Sequence, residues 1–163
     1  MAAVDYFLKI DGIEGESKDS KHAGEIELES WSWGETNAGS SAHGSGAGAG
    51  KVSMQDFHFV MKVNKATPKL ILACASGQHI KTAVLTCRKA GGKQEEYLVY
   101  KFWDVLISSY QTGGSGHGDG VVPTEQVSFN YTKMQTEYKE QKADGTLGGA
   151  ITAGWDLKQN QKV

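Results

Sequence analysis

The sequence predicts a mainly β protein: a two-sheet β-barrel or closed sandwich with one short α-helix and long extended loops. Three observations predict it. Apolar and polar residues alternate with period two in seven or so segments, the spacing that puts every second side chain on one face of a strand. Only one segment carries both helix start and helix stop signals. Glycine is heavily used, 21 of 163 residues against 2 prolines, so tight turns and loose loops are abundant. A chain of 163 residues suits one core, and we read 1–163 as a single domain. Hydrophobic content of 39% and charged content of 22% argue against fibrous, collagen-like and wholly disordered classes.

Val4 to Ile10 reads as the first strand, closed by Asp11-Gly12, and Glu14 to Lys21 as a polar surface loop. Glu25-Ile26-Glu27-Leu28-Glu29 alternates cleanly, with the glutamates on a solvated face. Trp31 and Trp33 fall on the opposite parity from Ile26 and Leu28, so a bulge is expected to restore one face. Both tryptophans then join the core and Ser32, between them, is exposed. From Gly39 to Gly50 only His43 departs from Gly, Ala and Ser, too few side chains to offset the entropy of ordering, which predicts a long loop. Val52 to Val63 resumes strand character with Phe57, Phe59, Met61 and Val63 on one face.

The helix comes next. Thr67 reads as its N-cap, Pro68 as its first position and Gly77 as its stop, with Leu70, Leu72, Ala73 and Ala75 as apolar turns. Ala83, Leu85 and Cys87 then alternate into Ala90-Gly91-Gly92-Lys93, and a second arm runs from about Glu95 to Tyr110, a hairpin. In that arm Leu98, Tyr100, Phe102 and Leu106 share one parity while Val99, Trp103, Val105 and Ile107 share the other. A strand between two sheets needs one apolar face, so the second is expected to meet another subunit. Thr112 to Gly120 is a second glycine-rich loop. Val127, Phe129 and Tyr131 alternate, and Met134 and Tyr138 follow on shifted parity, which places a bulge near Thr132-Lys133. Asp144-Gly145 and Gly148-Gly149 mark turns before a last strand with Ile151, Ala153, Trp155 and Leu157.

Seventeen Lys and Arg against nineteen Asp and Glu, with no dense basic tract, argue against nucleic acid as a partner. Apolar runs such as Leu70 to Ala75 are far shorter than a membrane span. Met1 to Tyr6 lacks the basic and apolar regions of a secretory signal, so the chain is expected to start in the cytoplasm, with Cys74 and Cys87 reduced and packed in the core. His22, His43, His58, His79 and His117 lack metal-ligand spacing; no metal or cofactor is expected, and each is read as a surface or loop residue. Gly48-Ala49-Gly50-Lys51 resembles the end of a phosphate-binding loop, but position 45 is serine, position 52 is valine, and a strand follows instead of a helix. No Gly-x-Ser-x-Gly elbow occurs, so no catalytic residue is assigned. An unrecognised secreted hydrolase and a carbohydrate-binding β-sandwich module, the latter suggested by four tryptophans, stand as the alternatives.

Several motifs then fall into one order. Gly15-Glu16-Ser17-Lys18-Asp19 through His22 to Glu25-Ile26, followed by Ser30-Trp31-Ser32-Trp33-Gly34, closely resembles the N-terminal signature of the hemolysin-coregulated protein (Hcp) family, the tube subunits of bacterial type VI secretion systems. The resemblance continues through Gln55-Asp56-Phe57, Thr67-Pro68, Cys74 to His79, Arg88-Lys89-Ala90-Gly91-Gly92, Ser108-Ser109, Gly113-Gly114-Ser115-Gly116 and Gly154-Trp155-Asp156, and covers essentially the whole chain. It implies a β-barrel subunit without catalytic activity that forms six-membered rings. The rings stack as a tube inside contractile sheath proteins, carry small effector proteins in the lumen, and leave the cell without a signal peptide beneath the trimeric valine-glycine repeat (VgrG) spike. On this resemblance Ser32 is expected to face the lumen and contact effectors, and Val99 and Trp103 to lie at a ring interface. Gly46 and Gly48, in the family's extended loop, are expected to contact the adjacent ring. No effector domain is expected after the barrel.

Overall fold

The computed structural model describes residues 4–39, 50–89, 93–118 and 122–163. Among them twelve strands and one helix follow in order: β1 (Val4–Ile10), β2 (Ile26–Glu27), β3 (Ser30–Ser32), β4 (Glu35–Asn37), β5 (Val52–Met54), β6 (Phe57–Lys62), α1 (Thr67–Ser76), β7 (Ile80–Lys89), β8 (Glu96–Gly113), β9 (Thr124–Asn130), β10 (Lys133–Gln141), β11 (Leu147–Asp156) and β12 (Gln161–Lys162). The larger sheet runs β12-β11-β10-β8-β7-β1-β2 and the smaller one β3-β6-β9-β8, while β4 and β5 pair with each other. All pairs are antiparallel.

Two segments pass from one sheet to the other. The first part of β8 bonds β7 and β10, and from Leu106 onward it bonds β9. The bend falls at Asp104, whose φ of 53° lies in the left-handed region. Between β2 and β3, Leu28 N–H donates to the Tyr6 carbonyl (3.0 Å) and Glu29 N–H to the Val60 carbonyl (2.8 Å), so adjacent residues serve different sheets. Strands that change sheets in this way make the corners of a sandwich. β10, β11 and β12 continue past β8 without a partner in the smaller sheet. The expected mainly β fold with one short helix is therefore realised as a sandwich with two corners, without closing into a barrel.

One apolar cluster fills the space between the sheets. Leu8, Ala83, Leu85, Phe102 and Val105 from the larger sheet meet Phe57, Phe59, Met61, Val127 and Phe129 from the smaller, all fully or almost fully buried. Phe57 and Phe102 each lie 5.0–5.2 Å from Phe129 between ring centroids, within the range of favourable aromatic pairing. Leu70 and Ala73 seat α1 on this core.

Local features depart from the sequence reading for identifiable reasons. Val105 and Ile107 do not join Val99 and Trp103 on an outer face: both are buried in the core, because the left-handed turn at Asp104 resets the alternation. Thr67 is the first residue of α1 and not its cap, since Asn64 shapes the entry by accepting the Ala66 N–H at 2.8 Å. The Thr67 hydroxyl instead donates to the buried Glu125. Val63 lies beyond the end of β6 and is partly exposed. The run 14–21 is not simply a surface loop, since Gly15, Ser17 and the following His22 are buried.

Candidate assembly and cargo surfaces

The loop between β1 and β2 forms a cover over the outer face of the larger sheet. Phe7 and Thr86 are register partners on that face and both are buried. Arg88, 2% exposed, donates from Nη1 and Nη2 to the two carboxylate oxygens of Asp19 (3.0 and 2.7 Å) and from Nη2 to Asp5 (3.1 Å). Its guanidinium lies 4.8 Å from the Phe7 ring centroid. The Arg88 hydrogen bonds, helped by the Lys21 N–H, hold the Asp19 carboxyl far below the usual carboxylate range. The His22 ring also stacks on Phe7, at 4.4 Å between centroids. Its nitrogens lie 2.8 Å from Glu25 and 2.7 Å from Glu96, so the loop is bonded to β8 as well. Gly15 admits no side chain here, because a Cβ would lie 2.5 Å from the Glu25 carbonyl oxygen. The motif from Gly15 to Ile26 is thus a folding device. His22 is buried, contrary to the expectation that each histidine lies at the surface, while His58, His79 and His117 are exposed and His43 lies outside the described residues.

The smaller sheet presents a different outer face. Ser32, His58, Ser128 and Ser109 form one row across β3, β6, β9 and β8, and Ser30, Val60, Gln126 and Gln111 form the next. These rows carry hydroxyl, amide, imidazole and, at Val60, isopropyl groups and no carboxylate or ammonium; Ser128 is buried within its row. Ser32 is exposed, as expected, while Trp31 and Trp33 are half-buried against the core. Trp33 Nε1 donates to the Tyr131 hydroxyl, which donates to the Gln55 carbonyl at 2.8 Å. Burial pushes the Tyr131 phenol up to about 12.

The larger sheet's outer face is less apolar than the alternation predicted. Without Val105 and Ile107 it keeps Val99 and Trp103, both half-buried. Val99 stands between Thr86 and Glu137, and Trp103 between Thr82 and Lys133. Lys101 and Lys133 place their ammonium groups 4.9 and 4.4 Å from the Trp103 ring centroid, a cation–π arrangement that covers part of the indole. Gly46 and Gly48 lie outside the described residues.

A cleft of about 770 Å³ opens where β10 and β11 run past the smaller sheet, walled on the far side by β4 and β5. Trp33, Met54, Tyr100, Met134 and Trp155 give it an aromatic and thioether lining. Thr136 Oγ1 and Trp155 Nε1 are buried there without a hydrogen-bond partner.

The hydroxyl cluster on the outer face of the smaller sheet holds no nucleophile bonded to a base. Ser108 donates to Asp56 at 2.6 Å and accepts from Ser128 at 2.8 Å. His58 opposes Ser128 in register but bonds none of these groups, so no base orients a nucleophile. No group of three or more His, Cys, Asp or Glu among the described residues is placed to hold a metal. Burial raises the Cys87 thiol to about 12, away from a reactive thiolate. No helix among the described residues is long and apolar enough to cross a membrane.

The chain resembles known proteins along almost its whole length. Residues 7–138 match the family model described as type VI secretion system effector, Hcp. Protein hcp1 of Pseudomonas aeruginosa is 54% identical over 160 residues, covering 97% of this chain and 98% of its own. The crystal structure of Hcp1 from Salmonella typhimurium superposes with a TM-score of 0.81 at 39% identity, covering 99% of this chain and 100% of that one. The crystal structure of a type VI secretion system effector from Yersinia pestis gives a TM-score of 0.76 at 37% identity, covering 93% and 99%.

Proposed function

Because the chain belongs to the Hcp family of type VI secretion proteins, we propose that it is a structural subunit of the secretion tube, built from six-membered rings that stack inside the sheath proteins beneath the VgrG spike. Small effectors ride in the lumen and leave with the tube when the sheath contracts. The rows Ser32-His58-Ser128-Ser109 and Ser30-Val60-Gln126-Gln111 carry this reading. An outer face of mainly hydroxyl and amide groups, without carboxylate or ammonium in these rows, suits contact with varied folded cargo. It offers each guest many weak contacts and imposes no single charge requirement. Ser32 lies at the end of one row and is the residue we assign to cargo contact.

Ring contacts are assigned to the outer face of the larger sheet, through Val99 and Trp103, and ring stacking to the loop that holds Gly46 and Gly48. No catalytic residue, cofactor or metal is assigned, and nucleic acid and membrane insertion have no part in the reading.

Light scattering on the purified chain is expected to return a mass near six times the 17.6 kDa subunit, with ring-shaped particles in negative-stain images. Ser32→Gln should lower co-purification of an effector several-fold while the rings persist, whereas Val99→Glu should disperse the rings and leave circular dichroism unchanged. A monomer at high concentration sinks the ring reading. Unchanged cargo recovery with Ser32→Gln removes the role of Ser32.

A further inference from the structure

We infer that the hollow between Ser32 and Ser109, on the outer face of the smaller sheet, receives an arginine or lysine side chain of the carried protein, with the Ser109 hydroxyl oxygen as its acceptor. This rests on the reading of that face as the cargo surface, and names the chemical group the surface selects.

Three observations point to a cationic donor. First, the serine hydroxyls beside the hollow can be ordered in one direction only. The ladder between β8 and β9 passes from Ile107 opposite Phe129 to Ser109 opposite Ser128, so Ser108 is an extra residue and both serines of β8 stand against Ser128. Each hydroxyl has one proton to donate. Ser108 donates to the Asp56 carboxylate at 2.6 Å and therefore accepts from Ser128 at 2.8 Å; Ser128, its proton now placed, accepts from Ser109 at 2.5 Å. Ser109 is exposed, yet its proton is turned inward and its lone pairs are what it offers a guest.

Second, the chain relays charge. A hydroxyl that donates toward a carboxylate becomes a stronger acceptor, because successive hydrogen bonds polarise one another. The half-buried Asp56 is thus felt at Ser109, and an acceptor of this kind bonds a charged N–H more strongly than a neutral one. Third, the hollow has the volume and lining for such a side chain. It measures about 440 Å³ and is lined by Ser32, His58, Val60, Gln111 and Gln126 besides Ser109. Val60 can pack against an aliphatic stem, and the two glutamine amides can turn their oxygens toward further N–H groups. The His58 ring can donate or accept, so it does not oppose a donor. Lys62, two residues beyond Val60 on the same strand, has its ammonium 3.9 Å from Glu29, which balances that charge. The rows as a whole require no particular charge of a guest; the hollow adds a preference at one point.

Short fluorescent peptides of one sequence, differing only in carrying arginine, glutamine or glutamate, test this on the purified full-length chain by fluorescence anisotropy. The arginine peptide is expected to bind at least about fivefold tighter than the glutamine peptide, the difference between a charge-assisted and a neutral hydrogen bond. The glutamate peptide should bind no tighter than the glutamine one. Ser109→Ala removes the acceptor without altering the net charge, which separates this site from a general attraction of cations to an acidic protein. It should bring the arginine and glutamine peptides to within about twofold of each other. Asp56→Asn removes the charge that fixes the direction of the chain and should do the same. Equal binding of all three peptides, a preference for glutamate, no detectable binding of the arginine peptide, or an arginine preference that survives Ser109→Ala overturns the inference. An effector that co-purifies with rings showing no arginine preference overturns this inference alone. Failure of any effector to co-purify overturns the cargo reading, whatever the peptides do.

Discussion

Arg88 and Asp19 show how one charged pair holds a whole motif in place. Each is far apart in sequence, and only folding brings them within 2.7 Å. The Asp19 carboxyl is held far below its ordinary value, first by the Arg88 hydrogen bonds and then by the Lys21 N–H. A depressed folded value means that the unfolded chain takes up its proton first as pH falls. The stabilisation is therefore complete above about pH 5 and is lost progressively below about pH 4. Asp19→Asn should lower the denaturation midpoint at pH 7, with the gap to the unmodified protein narrowing as the pH falls below about 4. A gap independent of pH would show that Asp19 contributes by shape alone. Alternation could not reveal this pair. The visible signal was an arginine near the end of a strand that also holds Lys81, Thr82, Thr86 and Lys89, and its partner lay in a loop whose polarity resembled that of any surface turn.

At the level of elements, β8 is the place where periodicity alone misled. Its first strand end, the helix 67–76 and the opening strand 4–10 were legible because each is bounded by turn or cap residues. The one mark of a left-handed residue in Phe102-Trp103-Asp104-Val105 is the aspartate, a type that tolerates that region, and that one residue transfers Val105 and Ile107 to the core. The bend is stabilised by its own side chain: Asp104 accepts hydrogen bonds from Thr132 at 2.6 Å and His79 at 3.1 Å. These bonds lower its carboxyl from the ordinary value. Glycine adopts such a backbone freely and a β-branched residue does not. Asp104→Val should therefore be less stable than Asp104→Gly by about 2 kcal/mol in urea denaturation. Equal midpoints would mean that the bend is set by the sheets and not by local backbone preference.

For the whole molecule, two outer faces of different chemistry explain why family motifs carried more about function than any residue type did. Ser32 was readable as exposed from its place between two inward tryptophans. The row it shares with His58, Ser128 and Ser109 was not, because register across four strands is set by long-range pairing. The cleft beside β11 was hidden for the same reason, with its walls drawn from residues 33–54 and 100–160.

The eighteen residues of β8 belong to both sheets, so neither layer can peel away while the other survives. Load applied along this strand reaches ladders on both sides in shear, where many bonds must break together, and is not concentrated on one bond at a time. Dissociated subunits should accordingly melt in one step, with tryptophan fluorescence and circular dichroism tracing the same curve; two separated transitions would refute this. A subunit so constructed has no weaker half to give way first.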